Sequence, residues 1–120
     1  MRGRSGHSLV EVLVAGLVLL AGVVPVAAGL GYSIRLGTRG RARAEAALAA
    51  LARLDQLRAA AAGSSPRCAS LASGSESFPD RLESWTIGTD GDTRIVSVIV
   101  TVPLPGGPVS DTAMVRLRCT

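Results

Sequence analysis

The chain has 120 residues, 48% of them hydrophobic, and a formal net charge of +4 carried by 13 arginines and no lysine. That length suits one small domain, and with three aromatics (Tyr32, Phe78 and Trp85) little is available for base stacking, so nucleic acid is not an expected partner. One histidine and two cysteines outside any CxxC exclude a zinc-ligand set.

The chain opens on MRGRSG, a short basic stretch without acids. From Val12 to Ile34 it then runs 23 residues without a charge. At about 1.5 Å per residue this is enough for a bilayer core of about 30 Å. Pro25, Gly29 and Gly31 lie inside the run, where a membrane helix tolerates them. The apolar run exceeds a signal-peptide core, so the segment is expected to stay in the mature protein. Arg2 and Arg4 favour a cytoplasmic N-terminus, whereas Arg35, Arg39, Arg41 and Arg43 at the far end favour the opposite orientation by counting alone.

Glu11 stands near the N-terminal edge of the apolar run. A carboxylate there calls for a counter-charge. No Arg after Gly6 is within helical reach, and a cut before His7 would create a new α-amine close by.

The order Gly6-His7-Ser8-Leu9-Val10-Glu11, behind a basic leader and ahead of a long apolar helix, resembles the type IV prepilin and pseudopilin N-terminus. The resemblance covers roughly residues 1–35. It implies cleavage by prepilin peptidase between Gly6 and His7, N-methylation of His7, and pairing of Glu11 with the terminal amine of a neighbouring subunit in a filament. It also implies an inner-membrane protein with its C-terminal part outside the cytoplasm, later drawn into a pilus or pseudopilus. The partners it implies are the peptidase, other pilin or pseudopilin subunits, an inner-membrane assembly platform, and membrane lipid before assembly.

Residues 41–62 are rich in strong helix formers and continue the first helix across Gly37 and Gly40, where a bend is expected. Leu48, Leu51, Leu54 and Leu57, extended by Ala44 and Ala47, read as its apolar stripe, and Gly63-Ser64-Ser65-Pro66 ends it. Residues 63–81 read as a loop. Strands are expected at 82–87, 94–102 and 112–119, joined by the Asp-Gly turn at 89–93 and by PLPGGP at 103–108. Val96, Val98, Val100 and Val102 share one face of the second strand; Ala113, Val115, Leu117 and Cys119 point inward from the third.

The expected fold is α+β and pilin-like: a long N-terminal helix, half transmembrane and half amphipathic, on a three-stranded antiparallel sheet. The segments are a leader (1–6), a membrane or filament-core helix (7–35), an amphipathic helix (36–62) and a small β domain (63–120). Outside the cytoplasm, Cys68 and Cys119 would form one disulfide; in the cytosol they would be two thiols. Asp90 and Asp92 are too few for a calcium cage and read as a turn, so neither metal nor cofactor is expected. Glu76, Asp80 and Glu83 read as a solvated surface. No Ser-His-Asp set and no phosphate-cradling loop is present, so an enzyme is not expected. The leading expectation is a structural subunit of a type IV pilus or a type II secretion-like filament. The alternatives are a single-pass anchor or assembly protein without a filament role, and a DNA-uptake competence pseudopilin supported only by the net charge.

Overall fold

The computed structural model describes residues 8–120. The element order is α1 (Leu9–Gly63), β1 (Gly74–Ser77), β2 (Leu82–Asp90), β3 (Thr93–Val102) and β4 (Val109–Arg118). Two compact units divide after Thr38, the second being Arg39–Thr120.

In the first unit every large apolar side chain from Leu9 to Leu36 is more than half exposed. A helix apolar on all sides has nothing to bury against within this unit and needs lipid or other helices around it. It is long and apolar enough to cross a membrane. Two hydroxyls in this stretch are satisfied locally: Ser33 Oγ donates to the Gly29 carbonyl at 2.9 Å and Thr38 Oγ1 to that of Ile34 at 3.0 Å. The chain stays helical through Pro25, Gly37 and Gly40.

The second unit holds the core. Ala42, Ala46, Ala50, Leu54 and Ala61 of α1 are buried. This corrects the stripe expected from leucine spacing, because Leu48 and Leu51 are 68% and 52% exposed. The first four of these positions are spaced by four, one side of a helix, and their small side chains let the sheet come close. Against them pack Val96, Val98 and Val100 of β3, all fully buried, with Trp85, Ile87, Val115 and Leu117 around the margin.

The sheet is an antiparallel meander in the order β1-β2-β3-β4, with four strands where three are expected from sequence. The additional strand, β1, reads GSES and is exposed at all four positions. It carries no apolar alternation to reveal it. Backbone pairing holds it instead, from Gly74 opposite Trp85 to Ser77 opposite Leu82. Trp85 Nε1 donates to the Ala72 carbonyl at 2.9 Å, and Ile87 N donates to Ser73 Oγ at 2.8 Å, fixing the segment just before β1. In β4, Ala113, Val115 and Leu117 pack on the core, as their alternation predicts, while Met114, Arg116 and Arg118 are exposed. The β2–β3 hairpin closes on Asp90 opposite Thr93, with Gly91 at φ +57° in the first central position, a place that favours glycine.

Candidate functional site

Three constellations carry chemistry. The first is the start of α1. Gly6 and His7, the expected cleavage and methylation positions, lie outside the described residues. Ser8 caps the helix: its Oγ accepts the Val10 N–H at 3.3 Å, and its carbonyl accepts the Glu11 N–H at 2.8 Å. Glu11 falls in the first turn, where the helix dipole favours an acid. Ser8 to Glu11 is the S-x-x-E spacing of a capping box. That spacing was present in the sequence and suits Glu11 to a local capping role, beside the intermolecular one that the resemblance implies. Glu11 also opens a shallow groove along the helix lined by Val14, Ala15, Val18 and Gly22.

The second is the disulfide. Cys68 and Cys119 are bonded, with their Cα atoms 5.6 Å apart and a sequence separation of 51. Two contacts bring them together. The Cys68 N–H reaches back to the Ala61 carbonyl near the end of α1, and the Cys119 N–H donates to the Asp92 carbonyl in the β2–β3 turn. Cys68 has φ +65°, in the left-handed region that costs a non-glycine residue.

The third is a charge network that the sequence does not reveal. Glu83 is 3% exposed, so it does not belong to a solvated surface. Its Oε2 accepts Arg53 Nε of α1 at 2.7 Å, and its Oε1 accepts Arg81 Nε at 2.8 Å. Glu76 stands directly opposite Glu83 in the β1–β2 register. Two like charges there repel, and Arg53 offsets this by also pairing with Glu76. The Arg53 guanidinium lies over the Trp85 ring, 4.7 Å from its centroid, and that of Arg81 over Phe78, at 4.4 Å. Burial pushes the Glu83 carboxyl up, but hydrogen bonds from Arg81 and Arg53, reinforced by their charges, hold it below its ordinary range. The network locks α1 to the first two strands. Among the described residues no buried side-chain polar atom lacks a partner, so the network has the character of a fold-specifying device rather than a reactive centre.

Asp90 and Asp92 belong to the β2–β3 hairpin, and among the described residues no group of three or more His, Cys, Asp or Glu side chains is placed to hold a metal.

The described chain is thus an α+β protein whose apolar N-terminal helix is compatible with a single-pass membrane anchor and whose sheet is closed by a disulfide. Comparison with protein-family models, with curated proteins and with solved structures gave no match.

Proposed function

We propose that this chain is a pilin-like structural subunit of a type IV pilus or a type II secretion-like filament, trimmed by prepilin peptidase after Gly6 and assembled through its N-terminal helix. The observation that carries the reading is the pairing of Glu11, in the first turn of α1, with a helix whose apolar side chains are exposed all round. Such a helix is made to exchange one apolar surrounding for another, lipid for neighbouring helices. A long helix followed by a small antiparallel sheet is also the general pilin layout. The disulfide favours an oxidising compartment for residues 68–119, and therefore an orientation with the C-terminal part outside the cytoplasm. Its partners would be the peptidase, other pilin or pseudopilin subunits, an inner-membrane assembly platform, and lipid before assembly.

The test is N-terminal sequencing after co-expression with prepilin peptidase. The expected product begins at His7, and Gly6→Ala blocks its formation. Product beginning at Met1 overturns the reading.

The Ser8–Glu11 spacing favours one competing reading, a single-pass anchor without a filament role, because an acid at the capping-box position in the first turn of a helix has a use within one chain. Replacing Glu11 by Gln separates the two. Loss of incorporation into a polymer, with the level of membrane-inserted chain unchanged, favours the filament; unchanged incorporation favours the anchor.

A further inference from the structure

One end of the second unit has the chemistry of a surface that rests on anionic lipid. Arg39 is the first residue of that unit, and its guanidinium donates to the Gly106 carbonyl at 2.5 Å. This brings the loop after β3, PLPGGP, against the start of the unit's helix. That loop has no charged residue. The turn between β1 and β2 lies at the same end of the sheet, because Leu82 pairs with Thr101 near the end of β3. It carries Phe78, half-buried; Leu104, in the loop after β3, is also half-buried, and Leu82, at the start of β2, is exposed. Arg41 and Arg43 are exposed on the same stretch of helix as Arg39, and its first acid is Glu45. Two other acids near this end are engaged, Asp80 by Arg81 and Asp111 by the Thr112 N–H.

We infer that this end, Arg39, Arg41 and Arg43 with the uncharged loop 103–108, docks on the headgroups of anionic phospholipid. The inference rests on membrane insertion of the apolar run. Arg39 lies five residue steps beyond Ile34. Even fully extended they reach only about 18 Å, so this end cannot stray far from the bilayer surface. Arginine stems lie along apolar surface while their heads reach phosphate, often in two-pronged contacts, and each basic residue near an anionic leaflet strengthens the association. Glycine at 106 and 107 leaves the loop backbone bare, and Gly107, at φ +108°, holds a conformation closed to other residues.

The test is hydrogen–deuterium exchange on the full chain reconstituted in phosphatidylcholine vesicles with and without phosphatidylglycerol. With the anionic lipid, amides at 78–82 and 104–109 are expected to exchange about tenfold more slowly, while those of the turn at 90–93 do not change. Arg41→Gln/Arg43→Gln, which leaves the Arg39–Gly106 contact in place, abolishes the difference, as does salt at about 1 M, where screening falls to about 3 Å. Equal exchange in both vesicles, protection that survives in the double variant, or the same protection given by a DNA duplex in neutral vesicles overturns the inference alone. A chain that alkaline carbonate strips from both vesicles overturns membrane insertion and the inference with it.

Discussion

Arg53 Nε donates to the buried Glu83 carboxylate at 2.7 Å, tying the helix to the second strand of the sheet. Breaking such a pair from one side leaves a buried charge short of a partner. Arg53→Met is therefore expected to lower stability by about 3 kcal/mol, the low end for a buried pair because Arg81 still holds Glu83. Glu76→Gln, at a far more exposed partner, is expected to cost under about 1 kcal/mol. Urea unfolding of the full chain in detergent micelles, followed by Trp85 fluorescence, measures both.

The same carboxylate sets an acid limit. Its pKa in the folded chain lies below the ordinary value of 4.5. As pH falls, the unfolded chain takes up the proton first, so unfolding binds protons and stability drops. The contribution is complete above about pH 4.5 and lost as pH passes down through the lower folded value. Urea midpoints measured from neutral pH downward should decline from about pH 4.5 in the native chain and decline less in Glu83→Gln.

Gly74 lies beneath the Trp85 ring, and a Cβ there would sit 2.8 Å from Cζ2. The ring cannot easily yield, being held by its bond to the Ala72 carbonyl and covered by Arg53. Gly74→Ala is expected to cost about 1–3 kcal/mol and to shift Trp85 emission. An unchanged spectrum and midpoint would contradict the packing described for β1.

Ala46 is fully buried while Leu48 is mostly exposed. Ala46→Leu should destabilise the sheet-bearing unit by about 1–3 kcal/mol through overpacking. Leu48→Ala should stay within about 0.5 kcal/mol. The reverse ranking in thermal melts would mean that the leucines, not the alanines, face the sheet.

Bridging a sequence separation of 51, the disulfide is expected to contribute about 2–4 kcal/mol. The backbone at Cys68 lies in the left-handed region, and it is expected to stay there once the bond is removed, because the Cys68 N–H still reaches the Ala61 carbonyl. Cys68→Gly/Cys119→Ala should then be more stable than Cys68→Ser/Cys119→Ala by about 1 kcal/mol, measured by urea midpoint.

The parts legible in the sequence are those with a strong local signature. The uncharged run, the alternation of Val96, Val98 and Val100, the Asp-Gly turn and the stop at Gly63 each follow from a short-range rule, and each is found. The strand Gly74–Ser77 was not legible because it is held by backbone pairing with β2 and by the Glu76–Arg53 contact, with no apolar alternation in its own sequence. The buried helix face was misread because three-residue leucine spacing drifts around a helix, whereas alanine, weakly hydrophobic, gives little signal although it permits the closest approach. Glu83 looked like surface because no sequence rule places Arg53, 30 residues away, against it. Of the candidate site, the cysteine pair was legible and is formed; the Ser8 cap was legible but obscured by the motif around it.

The bond between Cys68 and Cys119 also determines how the unit responds to tension. It joins the end of β4 to a point five residues beyond Gly63, where α1 stops. A pull from the C-terminal side passes through sulfur straight to the end of the helix. The four strands lie in a closed ring off that line, so they cannot be peeled apart one by one while the ring is intact.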